Sequence, residues 1–331
     1  MEAVLEVRDL KVQFFTYGGV VQALDGVSFK VNKDETLGLV GETGCGKSVT
    51  ALSTLRLVPP PGRIVEGEII LNGENLLEKT EEDMRKIRGC AIAMIFQDPT
   101  SSLNPLFTVG FQIAEPFIYH QDLKKREAQK SATNLLESMH IPDAERRARN
   151  YPHECSGGMK QRIMVAMALA CNPSLLIADE PTTNLDVTIQ AQLLELMKEI
   201  QKKHHTSILW ISHNLGVVAE MCDRVAVMYA GNIVEIGDVK TILCEPAHPY
   251  TRMLKECVPA ANQKKGELTV IPGTVPNLIS PPAGCRFHPR CREPTEICKK
   301  EKPIMVELEL GHYVSCWKYT QKNAKMNLGD D

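Results

Sequence analysis

No stretch of this 331-residue chain supplies the ~20 consecutive apolar residues that a membrane-spanning helix needs. The longest run near the middle, Ile163 to Cys171, is stopped by Asn172 and Pro173. The start, MEAVLEVRDLKVQFF, lacks the basic-then-apolar block of a secretory leader, so the chain is expected to stay in the cytosol. Its eleven cysteines are then expected as thiols or metal ligands, seldom as disulfides. Neither sign of charge is in excess: 38 Lys and Arg face 41 Asp and Glu, a net charge of -3 that gives no argument for a nucleic-acid partner. Internal repeats and low-complexity tracts are absent as well. What is present is an ordinary globular balance, 43% apolar and 24% charged, in a chain longer than the ~100 to 200 residues of one domain. A main domain with something appended follows from that length.

Residues 3 to 30 alternate apolar and polar, which predicts half-buried antiparallel strands joined by a turn at Tyr17-Gly18-Gly19. TLGLVGETGCGKSVTALSTLRLV then reads strand, glycine loop, helix. A small strand pair around GEIILNG follows, and AIAMIFQ (91 to 97) reads as a buried strand. From Asp98 to about Pro152 the pattern is helical and polar. SLLIADE (174 to 180) and TSILWISH (206 to 213) are continuous apolar runs, as in strands buried on both faces. Strands alternating with helices predict an α/β fold with a parallel, helix-covered sheet. After about residue 245 the texture turns Pro-, Gly- and Lys-rich, which predicts a loop-rich extension over 246 to 331 behind a main domain at 1 to 245.

GETGCGKS fits G-x-x-x-x-G-K-[ST] between a predicted strand and a predicted helix, the setting of a Walker A phosphate loop. Its residues, Gly41, Glu42, Thr43, Gly44, Cys45, Gly46, Lys47 and Ser48, with Val49 behind them, are the candidate ATP contacts. The glycines let successive N–H groups turn toward phosphate oxygens, and the helix N-terminus adds favourable partial charge. Lys47 brings a full positive charge, and the Ser48 hydroxyl is a ligand for Mg²⁺. LLIADE supplies two carboxylates. Asp179 ends an apolar strand where Mg²⁺ would sit, held through water, and Glu180 is the candidate to orient or deprotonate the attacking water.

ECSGGMKQR places Ser156, Gly157 and Gly158 at the mouth of a further predicted helix, a second phosphate-binding mouth. The helix of about a dozen residues behind it is ~18 Å long, which makes it difficult for this mouth to reach the ATP of its own chain. A second subunit facing head to tail, whose ATP this mouth completes, resolves the geometry.

Walker A, Gln97 of IFQDP, CSGGMKQR, LLIADEPTTNLD and His213 of ISHNL stand in the order of the ABC-transporter ATPase domain, and the chain resembles that family over roughly residues 3 to 240. QDPTSSLNPLFTVGFQIAEP, HPYT and PPAGCRFHPRC are further similar to the ATPase subunits of oligopeptide and dipeptide permeases. The resemblance implies a P-loop NTPase fold of the ABC type, a mixed parallel sheet with an antiparallel β subdomain and a helical subdomain at about 98 to 160. It implies that Gln97 touches Mg²⁺ or the water, that Met159 belongs to the signature, that Asp186 bridges two ATPase subunits, that His213 holds the γ-phosphate and that Tyr17 stacks on adenine, with Phe15 as its rival. It also implies partners: a second ATPase subunit, related or identical, two integral membrane permease subunits, and indirectly an external solute-binding protein. The place implied is the cytoplasmic face of the cell membrane. Cys155 and Asn184 depart from the usual family residues, Leu and Ala, and neither change removes a group expected to touch phosphate.

Cys285, Cys291, Cys298 and Cys316 are spaced C-x5-C-x6-C-x17-C, in a window where an even spread of the eleven cysteines would put about one. Four thiolates suit tetrahedral zinc or an iron–sulfur cluster, and the short cysteine pairs typical of either are missing. The family resemblance implies a [4Fe-4S] cluster; zinc and unliganded thiols are the alternatives, and Cys257 in the linker is a substitute ligand.

Two other functions use the same ATPase motifs. A soluble ABC ATPase acting on ribosomes or DNA usually carries two ATPase domains or a long coiled-coil insertion, and neither is present. An ATPase for a related solute such as nickel shares the motifs outright, because the solute is selected elsewhere.

Overall fold

The computed structural model describes residues 2–183, 185–257 and 270–320; Asn184 lies outside them. The chain divides into two compact units. The first is Met1–Leu5, Val31–Glu35 and Leu71–Trp210, and the second is Glu6–Lys30, Thr36–Ile70 and Ile211–Asp331.

In the first unit the expected buried strands Ile92–Ile95 and Leu175–Asp179 pair in parallel, with Ile92 opposite Leu175 and Ile95 opposite Ala178. LLIAD is buried at all five positions, which is why its sequence shows no polar alternation. The stretch expected to be helical forms Pro99–Ser102, Val109–Gln121, Lys125–Ser138 and Ala144–Arg147. Thr108 caps Val109–Gln121 by accepting the Phe111 N–H. The buried amide of Gln112 on that helix accepts from the Asn104 N–H at 2.8 Å and donates to the Asn104 and Phe107 carbonyls at 3.0 Å, so it braces the preceding loop. The signature helix is Gly157–Leu169, and Asp186 caps Val187–His204.

In the second unit Thr36–Val40 runs parallel to Arg224–Tyr229, and Arg224–Tyr229 is antiparallel to Asn232–Asp238. The alternating amino-terminal residues form Ala3–Thr16 and Gly19–Asn32, neighbours in a second sheet, and Gly62–Leu71 lies beside the first of them. Parallel and antiparallel pairings therefore coexist in an α/β fold, as the sequence leads one to expect. Among the described residues no helix is long and apolar enough to cross a membrane.

The boundary suggested by composition at residue 245 falls inside the second unit. The extension continues the sheet instead of hanging from it: His312–Val314 pairs with Asn232–Asp238, with Val314 opposite Glu235, and Val306–Glu309 pairs with His312–Val314. An aromatic cluster joins the same parts. Tyr229, Tyr250 and Phe287 have ring centroids 4.7 to 5.3 Å apart and almost no exposed surface. Such pairs are worth about 0.5 to 1.5 kcal/mol each beyond the burial of their area.

Glu235 is wholly buried and accepts hydrogen bonds from the Ala247 N–H at 2.6 Å, the His248 N–H at 3.0 Å and His312 Nε2 at 2.8 Å. Burial acts to raise its pKa, and the hydrogen bonds, first that of His312, outweigh burial and hold the carboxyl below its usual 4.5. His248 is itself wholly buried. Its Nδ1 accepts the Tyr250 N–H at 3.1 Å, and burial lowers its pKa from 6.5 to about 4.

A histidine whose folded pKa is depressed stabilises the fold fully above its unfolded pKa, and that stability is lost as pH falls toward the folded value. Unfolding measured against pH should therefore show stability dropping between pH 6.5 and 4, with about 3 kcal/mol of the drop due to His248. His248→Asn keeps an acceptor for the Tyr250 N–H and removes the titration, so its curve should be flatter over that interval. An unchanged slope would show that His248 is not buried in the neutral form.

Candidate functional site

The phosphate loop leaves the buried strand Thr36–Val40 and enters the helix Lys47–Thr54 with Gly46 as its N-cap. Gly41 and Gly46 have φ of 153° and 113°, and a Cβ at Gly41 would stand 2.1 Å from the Met228 carbonyl oxygen. Only glycine fits there, because both the backbone angle and the approach of the neighbouring strand exclude a side chain. Lys47 is buried and folds back over the loop, its Nζ donating to the Gly41 carbonyl at 2.7 Å and the Glu42 carbonyl at 3.1 Å. Thr43, Gly44 and Ser48 are exposed and Val49 is half-buried. Cys45 is buried beneath the loop, and burial raises its thiol pKa against the opposing pull of Lys47.

His213 follows the strand Ser207–Ser212 and is exposed. Tyr17 stands at the strand turn with its ring wholly in solvent. Phe15 is also partly exposed and carries the Arg63 guanidinium 5.7 Å over its ring.

In the first unit Asp179 is buried at the end of its strand, and Glu180 adopts φ 48°, an uncommon left-handed conformation for a residue with a side chain. The Glu180 carboxylate accepts from Gln97 Nε2 and from the Thr183 hydroxyl, each at 3.1 Å. Two residues that the motifs place 83 positions apart thus meet at one carboxylate oxygen. Asp186 accepts the Ile189 N–H at 3.0 Å, so it already serves this chain as a helix cap.

Ser156 caps the signature helix, its hydroxyl accepting the Met159 N–H at 3.3 Å. The helix has 13 residues, about 20 Å of rise, slightly more than the sequence implied. Cys155 is buried, with its thiol 3.7 Å from the Tyr151 carbonyl, so a small apolar side chain satisfies the position. The two glycines differ. A methyl at Gly158 would stand 2.9 Å from Ile189 Cγ2, whereas one at Gly157 would meet no atom of the described residues within 4 Å. Gly157 is exposed and helical, and among the described residues no neighbour requires a glycine there.

Cys285, Cys291, Cys298 and Cys316 line one cavity of about 450 Å³, with His248, Phe287, His288 and Trp317 among the other walls. Cys257 is not one of its lining residues. The Cys285 N–H donates to the Cys298 carbonyl at 2.8 Å, the Thr295 hydroxyl stands 3.1 Å from Cys298 Sγ, and the Glu293 N–H donates to Cys291 Sγ. Burial pushes the Cys285 thiol up to about 11 and raises Cys291 and Cys316 as well. The donor set is four soft sulfurs. Among the described residues no group of three or more His, Cys, Asp or Glu side chains is arranged to hold a metal ion.

Two contacts of the phosphate loop were not expected. The Tyr250 hydroxyl accepts the Glu42 N–H at 2.9 Å, and Arg290 grips the Glu42 carboxylate at 2.9 and 3.2 Å. The only signal in the sequence lies in HPYT and PPAGCRFHPRC, which contain the two residues without indicating what they touch.

The family described as ABC transporter matches residues 24–183, and the oligopeptide/dipeptide transporter C-terminal region matches residues 234–298. A probable peptide ABC transporter ATP-binding protein of Sinorhizobium fredii is 51% identical, over 99% of this chain and 97% of its own length. The dipeptide transport ATP-binding protein DppD of Bacillus subtilis is 49% identical, over 100% of this chain and 99% of its own. The oligopeptide transport ATP-binding protein OppD of the same organism is 52% identical, over 95% and 88%. The fold is similar to a dimeric, post-hydrolysis ATP-binding cassette bound to ADP and Pi, with TM-score 0.64 and 24% identity over 71% of this chain and 98% of that one. It is also similar to cbiO1 of Clostridium perfringens, part of an ABC transporter complex, with TM-score 0.62 and 25% identity over 74% and 92%. The chain belongs to the ABC transporter ATPases, in the group that carries the oligopeptide/dipeptide transporter C-terminal region. Its enzymatic class is that of an ATP-hydrolysing transport subunit.

The glycine contrast gives a test. Gly157→Ala should leave the unfolding midpoint unchanged or slightly raised, since alanine is favoured over glycine in helices by up to ~1 kcal/mol. ATP turnover by the assembled ATPase should nevertheless fall about tenfold or more, because a methyl there would obstruct an approaching phosphate. Full turnover in a stable Gly157→Ala protein would remove the case for an external ligand at this mouth.

Proposed function

We propose that this chain hydrolyses ATP to energise the import of dipeptides or oligopeptides by a membrane ABC transporter, working from the cytoplasmic face as a peripheral subunit. The observation that carries the reading is the likeness, over nearly the whole length including the C-terminal region, to proteins named for dipeptide and oligopeptide transport. Action on ribosomes or DNA has no comparable support. Import of nickel or another small solute remains the nearest alternative, separated from peptide import by the permease and solute-binding partners.

The residue roles proposed are those that the family resemblance implies, with contacts inside each unit in their support. Gly41 to Val49 would cradle the ATP phosphates, Lys47 exchanging the loop carbonyls for phosphate oxygens, with Ser48 and Asp179 as Mg²⁺ ligands. Glu180 would orient the attacking water, and Gln97, hydrogen-bonded to it, would feel that water and pass on the state of the permease. His213 would hold the γ-phosphate. Tyr17, with its ring in solvent, would be the surface on which adenine stacks. Ser156, Gly157, Gly158 and Met159 would complete the ATP held by a second ATPase subunit, related or identical, with Asp186 at the contact between the two. Binding of ATP would close the pair, and loss of the γ-phosphate would reopen it. Two integral membrane permease subunits would turn that cycle into alternating access, and an external solute-binding protein would deliver the solute.

The four-cysteine cavity is proposed to hold a [4Fe-4S] cluster. Beside the family resemblance, the support for this reading is that all four cysteines line one cavity and offer soft sulfur ligands. The cluster would supply bonds that staple a loop-rich segment, held by Cys285, Cys291, Cys298 and Cys316.

Glu180→Gln should bind ATP with near-normal affinity and lose about a hundredfold or more of turnover, measured on the chain assembled with permease subunits. Peptide presented by the binding protein should stimulate the unaltered complex. Stimulation by nickel and not by peptide would move the assignment to the alternative. Iron, sulfide and zinc assayed on anaerobically purified protein decide the cluster: one zinc or no metal per chain would overturn it and leave the transport reading intact.

A further inference from the structure

The phosphate loop owes part of its shape to two residues that lie more than 200 positions downstream. Glu42 is engaged at every polar group it carries. Its N–H donates to the Tyr250 hydroxyl at 2.9 Å, its carbonyl accepts from Lys47 Nζ at 3.1 Å and the Cys45 N–H at 3.2 Å, and its carboxylate receives both Arg290 nitrogens at 2.9 and 3.2 Å. Arg290 is itself fixed from all sides. Its side chain is 7% exposed, Nε donates to the Pro272 carbonyl at 2.8 Å, the terminal nitrogens reach the Ile271 and Gly273 carbonyls and the Tyr229 hydroxyl, and the guanidinium lies 5.7 Å from the Tyr229 ring centroid. A fork held this rigidly places the carboxylate it grips, and a lysine cannot reproduce the two parallel bonds.

Charge explains why such a grip belongs here. ATP brings several negative charges to this loop, and a free Glu42 carboxylate on the loop would repel them. Paired with Arg290, the same carboxylate is neutralised and becomes an anchor for a loop whose glycines would otherwise let it wander. We propose that Arg290 is a positioning residue for ATP: it neutralises and clamps Glu42, and Tyr250 fixes the adjoining backbone, so that the C-terminal segment sets the affinity of the phosphate loop. This inference rests on the assignment of residues 41 to 48 as the ATP site.

The test is equilibrium binding of a fluorescent ATP analogue with Mg²⁺ to the full chain, together with steady-state turnover and thermal unfolding. Arg290→Met should weaken binding about tenfold, or 1.4 kcal/mol, and raise KM by more than it lowers kcat. The double variant Arg290→Met with Glu42→Gln should recover to within about threefold of Glu42→Gln alone, because the unpaired charge has gone. A merely structural role gives no such rescue. If Arg290→Met does not fold, Arg290→Lys serves in its place, with weaker binding that Glu42→Gln again relieves. Unchanged binding in a folded Arg290 variant, or a double variant no better than the single, would overturn the inference alone. An unaltered chain that binds no ATP would overturn the ATP-site assignment, and this proposal with it.

Discussion

A phosphate-binding loop must hold its backbone amides toward empty space, ready for a charge that has not arrived. That constraint governs much of the second unit. The loop takes left-handed conformations at Gly41, Gly44 and Gly46, so its own residues resist collapse only weakly. Its shape is imposed from outside: by the buried strand before it, by the helix after it, by Lys47 bridging its carbonyls, and by Tyr250 and Arg290 on Glu42. The ammonium of Lys47 is the one of these holds that phosphate can replace with a stronger partner, so ligand binding can proceed without dismantling the others.

The first unit shows the complementary logic, with residues whose chemistry this chain only half uses. Ser156 and Asp186 each cap a helix, and a capping oxygen retains lone pairs for further partners. Among the described residues nothing stands within 4 Å of where a Gly157 side chain would begin, and Val187, beside Asp186, is 84% exposed. Glu180, by contrast, is already held by Gln97 and Thr183, and its left-handed backbone is paid for by that local network.

Local chemistry was legible in the sequence, and distant pairing was not. LLIAD and SILWIS announce buried strands because each holds a run of four apolar residues with no polar alternation, and GETGCGKS announces its loop because glycine spacing and strand context are both local. Ser156 ahead of two glycines reads as a helix start for the same reason. The bond from Gln97 to Glu180 and the grip of Arg290 on Glu42 join residues 83 and 248 positions apart, and no periodicity encodes such a meeting. The packing of the chain after residue 245 was illegible for a different reason. Proline and glycine report where the chain loops, not where the loops pack, and here they pack onto Glu235 and the aromatic cluster of the second unit.

The buried carboxylate of Glu235 explains why that extension cannot be an independent appendage. A wholly buried carboxylate is costly unless its hydrogen bonds are complete, and all of the partners named for it come from later chain: the Ala247 and His248 amides and the His312 ring. Removal of the extension would strand that charge in the centre of a sheet strand whose neighbour, His312–Val314, would leave with it. Tyr250 would also be lost, and with it the hydroxyl that receives the Glu42 N–H. The segment that carries the four cysteines is therefore bound into the same hydrogen-bonded body as the phosphate loop. Whatever fixes the cysteines fixes Arg290, one residue before Cys291, and so bears on how the loop meets ATP.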